Sequence, residues 1–236
     1  MIDFHTHILP GIDDGSRDID MTRAMLLEEQ RQGVDTVIAT PHFYADRMSI
    51  DRFLERRAGA RAQVEHLSRT LPVIRAGAEV YYFQGMGRAA ELSRLCIEGT
   101  RTLLVELPFE QWREDVLRDL ELLIRRQGLN IVLAHVERYA SLQRDRHIWN
   151  RVLSLPLTPQ LNGGSFLRRG GLFGLSRRRF CLKFLAEHPR LIIGSDCHNM
   201  NGRAPNLAAA RAQIAAALGA RALEDIDAAA SEALAH

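Results

Sequence analysis

Short apolar runs alternate along this chain with longer stretches in which apolar residues recur every three or four positions. A short apolar run suits a buried strand, and the three-to-four spacing suits one face of a helix. The runs predict strands at 1–4, 36–39, 73–76, 102–107, 130–134, 157–161 and 191–194. Helical spacing falls between them, over 19–32, 50–71, 112–127, 138–153, 176–187 and 205–218, and persists through an Ala-rich tail, 207–235, read as a terminal helix. Gly33, Gly77, Gly128, Gly194 and Gly219 stand where elements end, as C-caps and tight turns require. Seven strands, most followed by a helix, predict an α/β fold: a parallel sheet closed as a barrel, with residues 1–236 as a single domain.

Composition narrows the function classes. With 46% hydrophobic and 25% charged residues, the chain is an ordinary globular protein, and its net charge of +2 provides no field for nucleic acid. The 31 cations are 30 Arg and a single Lys, Lys183. No Gly-Lys-[Ser/Thr] exists, which excludes a Walker A loop, and Schiff-base chemistry is disfavoured. No apolar run reaches the ~20 residues of a membrane helix. Asp3, His5 and His7 occupy the place of a secretory signal. Three scattered cysteines (Cys96, Cys181, Cys197) predict neither a disulfide framework nor a thiolate zinc site. The expected compartment is a reducing cytoplasm.

Polar residues gather at the predicted strand ends, where barrel chemistry belongs. The first strand ends in Asp3-Phe-His5-Thr-His7, followed by Asp13-Asp14-Gly15. Alternation along an extended segment predicts that Asp3, His5 and His7 face one centre. Later strands end in Thr40-Pro-His42, Gly77-Ala-Glu79, Glu106-Leu-Pro108, His135-Val-Glu137-Arg138 and Ser195-Asp196-Cys-His198-Asn199. Five histidines (His5, His7, His42, His135, His198) and four acids (Asp14, Glu79, Glu106, Asp196) are therefore candidate ligands. Nitrogen and carboxylate donors without obligatory thiolate suit manganese, iron or catalytic zinc. Nine donors exceed what one ion needs and would serve two or three. Such a site generates a bridging hydroxide near neutral pH and clamps phosphate oxygens during in-line attack.

These residues, in this order, resemble the PHP (polymerase and histidinol phosphatase) superfamily, and more closely its CpsB-type bacterial tyrosine phosphatases of capsular and exopolysaccharide synthesis. Besides the segments quoted, Arg31-Gln-Gly33-Val, Glu79-Val-Tyr81, Glu137-Arg138-Tyr139 and Gly202-Arg203-x-Pro205 carry the resemblance, which runs from residue 1 to about residue 210. It implies a distorted (β/α)7 TIM-like barrel with a trinuclear centre. His5, His7, Glu79 and Asp196 would hold one metal; Glu79, bridging, with Glu106 and His135 a second; and Asp14, His42 and His198 a third. Asp3 would orient a ligand histidine, and Arg138 and Arg203 would grip phosphate through planar bidentate forks. The loop from Gln160 to Ser165 is loosely matched, and the tail after Gly219 departs from the pattern.

The expectation is a metal-dependent, most simply manganese-dependent, protein-tyrosine phosphatase acting on the phosphotyrosine-bearing tail of a bacterial tyrosine kinase that regulates polysaccharide synthesis. Asp196 and His198 are the candidate proton donors. The alternatives are a small-molecule phosphatase of histidinol-phosphate type, a non-catalytic metal-binding regulator and a cysteine-dependent phosphatase. The last is suggested by Cys197-x5-Arg203, where a low-pKa thiolate would attack phosphorus. Two further readings concern substrate contact. The Arg-rich segment 168–179 would form a basic rim for an acidic tail, and Tyr81-Tyr82-Phe83 could stack on a phosphotyrosine ring.

Overall fold

The apolar runs become parallel strands because β-branched and leucine side chains fill both faces of a buried sheet. In the computed structural model, which describes residues 1–167 and 171–235, they are β1 (Ile2–Thr6), β2 (Thr36–Ala39), β3 (His42–Phe43), β4 (Val73–Ala76), β5 (Glu79–Tyr81), β6 (Thr102–Glu106), β7 (Asn130–Leu133), β8 (Thr158–Asn162) and β9 (Ile192–Gly194). All named pairs are parallel, in the orders β1-β2-β4 and β3-β5-β6-β7-β8-β9. Strand β2 coincides with the predicted strand 36–39, and the chain resumes as the unpredicted β3 beyond Thr40-Pro41, where proline offers no N–H to a ladder. In the same way β4 is the predicted strand 73–76, and β5 follows it unpredicted beyond Gly77-Ala78. Past β9 the chain returns to β1: Thr6 bridges Cys197, Asp196 N donates to His5 O (2.8 Å) and His7 N donates to Cys197 O (2.9 Å). The result is the expected curled, seven-position barrel.

The helices are α1 (Ile19–Arg31), α2 (Ile50–Val64), α3 (Glu114–Arg125), α4 (Arg146–Leu153), α5 (Gly171–Glu187), α6 (Leu207–Leu218) and α7 (Ala220–Ala233). Asp18, Ser49 and Asp145 cap α1, α2 and α4 through their side chains. Three expectations change. The helix expected over 50–71 ends at Val64 and gives way to a tight 3-10 turn. That expected over 138–153 starts only at Arg146, because Asp145 caps it there and Val136–Arg138 forms its own 3-10 turn. The tail divides at Gly219, whose φ of 83° breaks the helix. Of the basic rim, 168–170 lies outside the described residues, and Arg177, Arg178 and Arg179 lie on α5. Among the described residues no helix is long and apolar enough to cross a membrane.

Two apolar layers result. Outward-facing residues such as Val37, Leu103, Val105, Ile131 and Ile193 pack with the helices. Inward-facing Phe4, Ile38, Leu104, Val132 and Ile192 fill the barrel, sealed by Ala229, Ala230 and Ala233 of α7. The departing tail is thus a plug of small residues. Thr102 Oγ1 donates to Ala233 O (2.5 Å), tying plug to barrel. In β1, Asp3 pairs with Val37 but Thr6 with Ala39, so β1 carries one extra residue. That bulge changes which side chains face inward.

Phe4 is fully buried in the barrel interior. Phe4→Ala is expected to cost about 3–5 kcal/mol in urea unfolding, whereas Leu27→Ala, at a site 47% exposed, should stay within about 0.5 kcal/mol.

Candidate metal centre

All nine candidate ligands converge at the mouth of the barrel. His5 and His7 come from β1 and its extension, Asp14 from the following loop and His42 from β3. Glu79 opens β5, Glu106 closes β6, His135 follows β7, and Asp196 and His198 follow β9. His5, His7, Glu79, Glu106, His135, Asp196 and His198 are buried; His42 is partly buried and Asp14 exposed.

The donor atoms are spaced as coordination requires. Ligands about 2.1 Å from a shared ion stand about 3.0–3.4 Å apart along octahedral or tetrahedral edges. His5 Nε2 lies 3.1 Å from His7 Nε2. The two nitrogens lie 3.2 and 3.4 Å from Glu79 Oε2, and 3.6 and 3.5 Å from Asp196 Oδ1. Glu79 turns its other oxygen to His135 Nε2 at 2.9 Å, with Glu106 Oε1 3.4 Å from the same nitrogen. Asp14 Oδ1 lies 3.5 Å from His42 Nε2 and 3.4 Å from His198 Nε2. His42 stands between two of these sets, its Nδ1 2.9 Å from Glu79 Oε2.

Outer hydrogen bonds aim three of the imidazoles. His5 Nδ1 pairs with Gln160 Oε1 (3.2 Å), His7 Nδ1 with Asp13 Oδ2 (2.7 Å) and His198 Nδ1 with the Asp196 carbonyl (3.0 Å). Each leaves Nε2 directed at the centre, as metal-binding histidines do. Glu79 Oε2, His42 Nδ1 and His198 Nε2 have no aligned hydrogen-bond partner among the described residues although all are buried. Buried polar atoms are seldom left so. The donor set fits divalent metal ions.

Electrostatics points the same way. Burial opposes charge on His135, yet hydrogen bonds to Glu106 and Glu79 raise its pKa to about 9. Burial likewise disfavours a charged His7, but Asp13, Asp196 and Glu79 raise it well above its ordinary value. Burial works against the Glu79 carboxylate, and His5, His135 and His42 hold it well below the usual range. Asp196, similarly buried, is held far down by His5 and His7. The pocket concentrates negative charge and favours cations. His198 is the exception: burial, His7 and Arg203 lower it to about 4.

Packing fixes this arrangement. His135 (φ 31°) and Asp196 (φ 53°) are the non-glycine residues at positive φ among those described, a strain that surrounding structure must hold. A Cβ on Gly15 would meet His7 O at 2.2 Å, and one on Gly194 would meet His5 Cβ at 2.5 Å. Both glycines are therefore required by the backbone's approach to the two histidines.

Arg138 and Arg203 stand at the rim, their side chains 41% and 43% exposed. They lie 4.0 and 2.6 Å from Asp196 Oδ2. Glu137, whose pKa burial raises, accepts from Ser165 Oγ (2.7 Å) and Asn162 N (3.3 Å), anchoring the turn that presents Arg138. Cys197 does not face this space. Its Sγ lies 3.7 Å from Glu29 Oε1 on α1, and burial together with Glu29 and Asp3 pushes the thiol pKa well up. A buried neutral thiol is not a phosphatase nucleophile.

Two expectations are corrected. Because of the bulge, Asp3 does not share the face of His5 and His7. It binds backbone instead, accepting from Ser195 N (2.8 Å) and His5 N (3.2 Å). The residues that do orient imidazoles, Asp13 and Gln160, have no role in the sequence reading; Asp13, next to a candidate ligand, was the available signal. Of the aromatic run, Tyr82 hydrogen-bonds Asp119 (3.1 Å) and Phe83 packs on the core. Tyr81 alone reaches the mouth, its ring 5.6 Å from Tyr44.

A profile of the family described as capsular polysaccharide synthesis, CpsB/CapC, matches residues 1–235. The tyrosine-protein phosphatase CpsB of Streptococcus agalactiae serotype III (strain NEM316) is 28% identical over 220 residues, covering 89% of this chain and 88% of that protein. The tyrosine-protein phosphatase YwqE of Bacillus subtilis (strain 168) is 28% identical over 212 residues, 86% of this chain and 79% of that protein. Crystal structures of YwqE from Bacillus subtilis and CpsB from Streptococcus pneumoniae, described as unique metal-dependent tyrosine phosphatases, superpose with a TM-score of 0.83 at 24% identity, covering 100% of this chain and 94% of the matched chain. That likeness establishes the fold.

Two outcomes are expected. Asp13→Ala, which frees the His7 ring, should weaken manganese binding about 10–100-fold in a metal titration. Burial first, and then Asp3, raises the Glu29 pKa well above its ordinary value. Folding therefore favours the protonated acid, and stability falls as pH rises from the unfolded value of about 4.3. Glu29→Gln should thus gain melting temperature relative to wild type as the pH is stepped from 4 to 8.

Proposed function

Because the chain belongs to the CpsB/CapC family of capsular polysaccharide synthesis, we propose that it is a metal-dependent protein-tyrosine phosphatase. The observation that carries this reading is the spacing of the nine donors, 2.9–3.6 Å across three sets, beside two part-exposed arginines. The names of the relatives agree with it. In this reading His5, His7, Glu79 and Asp196 hold one ion. Glu79, Glu106 and His135 hold a second, and Asp14, His42 and His198 a third. Manganese is the proposed metal, with iron and zinc as alternatives. Such ions, when bound, activate water near neutral pH and neutralise charge on phosphate oxygens.

The chain's own residues do the rest. Asp13, Gln160 and the Asp196 carbonyl keep the His7, His5 and His198 rings aimed inward, so no reorganisation is needed when substrate arrives. Arg138 and Arg203 meet the phosphoryl group; their planar forks match two oxygens at once. Arg203, paired with Asp196 in this structure, is already positioned by that contact. The leaving phenol, with a pKa of about 10, needs less help from an acid than an alkyl alcohol does. That suits a site in which neither Asp196 nor His198 is in its acidic form at neutral pH. The proposed substrate is the phosphotyrosine-bearing tail of a bacterial tyrosine kinase that regulates polysaccharide synthesis, in the reducing cytoplasm where buried, unpaired Cys96, Cys181 and Cys197 persist as thiols.

The test is p-nitrophenyl phosphate hydrolysis after chelation and manganese add-back. Wild type should lose activity on chelation and regain it. His42→Ala should lose at least about 100-fold, and Cys197→Ser should retain wild-type rates. Activity that survives thorough chelation would overturn the proposal. A preference for histidinol phosphate over a phosphotyrosyl peptide would assign the same centre to a small-molecule substrate.

A further inference from the structure

A cavity of about 600 Å³ opens beside the arginine pair, with Phe109, Arg138, Arg146, Phe173, Arg177 and Phe180 in its wall. A smaller hollow of about 330 Å³ holds Asp196 and Arg203, and it shares Glu137, Arg138 and Arg177 with the first. The two adjoin. One end presents guanidinium groups beside the donor cluster, and the other presents phenyl rings.

Phe109 joins the ends. Its ring lies 5.8 Å from His135, nearly parallel at 18°, and the Arg138 guanidinium covers it at 4.6 Å from the centroid. It is nonetheless 41% exposed, and Phe173 is 87% exposed. Exposed phenyl rings grouped in a concave wall mark an apolar binding site rather than a folding need. Arg146 and Arg177 are exposed on the same wall, so the trough is apolar at its centre and cationic at its margins. The other aromatic pair at the mouth, Tyr44 and Tyr81, lies on the His42 side and lines neither of the two adjoining hollows.

We infer that this trough is the specificity site: it takes the aryl ring of a phosphotyrosyl peptide against Phe109 and Phe173, while Arg146 and Arg177 meet acidic residues flanking the phosphotyrosine. The inference rests on the phosphatase reading above. Chemistry favours this occupant. A phosphoryl group held by Arg138 and Arg203 leaves its ester substituent to extend past Arg138. An aromatic substituent finds aromatic platforms there, whereas a seryl phosphate is too short to use them. Acidic neighbours of the tyrosine would find the marginal arginines rather than the carboxylates of the centre.

The test uses the manganese-loaded enzyme and three probes: a phosphotyrosyl peptide with acidic flanks, the same peptide with alanine flanks, and inorganic phosphate as competitive inhibitor. Phe109→Ala should raise KM for both peptides about tenfold, with kcat little changed and the phosphate inhibition constant within about twofold; Phe109→Tyr should restore KM. Phe173→Ala, at an exposed position, should raise KM about threefold. Reversing both charges with Arg146→Glu and Arg177→Glu should abolish or invert the preference for acidic flanks. The inference is overturned if Phe109→Ala leaves KM unchanged, or weakens phosphate and peptides equally, or if the charge reversals leave the flank preference intact. A wild type inert toward every phosphate monoester defeats the phosphatase reading itself; a wild type that is active but insensitive at Phe109 defeats only the trough.

Discussion

Four imidazoles converge on one buried carboxylate. Glu79 has His42 and His135 at 2.9 Å, His5 at 3.2 Å and His7 at 3.4 Å. A lone buried carboxylate would be prohibitively costly, and so would a nest of unpaired imidazoles. Together they make a pocket whose cost is offset only by bound positive charge, whether protons or metal ions. The strand breaks at Thr40-Pro41 and Gly77-Ala78 serve this convergence, since they release His42 and Glu79 from the ladder above them and set them opposite one another in the β3–β5 register.

Closure of the barrel depends on the same contacts. Asp3 accepts a hydrogen bond from Ser195 across the β1–β9 seam, and Gly194 lets the β9 backbone approach His5 closely enough for Asp196 to bond the His5 carbonyl. The seam therefore places His5, His7 and Asp196 in one donor set and His198 in the neighbouring set beside His7. It also explains why Cys197, between two of them, turns outward to Glu29. Its neighbours claim the inner face, and the acids behind it keep the sulfur protonated. The Cys-x5-Arg spacing is real in the sequence but has no chemistry in the fold.

Much of this was legible beforehand. The order of apolar runs predicts seven strand positions in parallel, and the structure has them. Each strand-end donor is where its run predicts. Two kinds of feature were hidden. Asp3 reads as a partner of His5 by simple alternation, but one extra residue in β1 undoes that parity, and no local signal announces the bulge. Gln160 is 155 residues from His5 in sequence, so its grip on that ring exists only once β8 lies beside the seam. Helix ends were misjudged where a cap (Asp145) or a glycine at positive φ (Gly219) competes with a periodicity that runs on past them.

The sequence by itself determined the alternation of strand and helix and the side-chain types at each strand end, because periodicity and donor chemistry are properties of residue type. The tertiary structure alone decided which nitrogen of each imidazole faces inward, which acid sits behind it and which way Cys197 points. It also decided that an Ala-rich tail would plug the barrel and that Phe109 would lie under Arg138. Those outcomes depend on ångström-scale register between segments, some of them more than a hundred residues apart, set in part by the bulge in β1 and by two glycines pressed against His5 and His7.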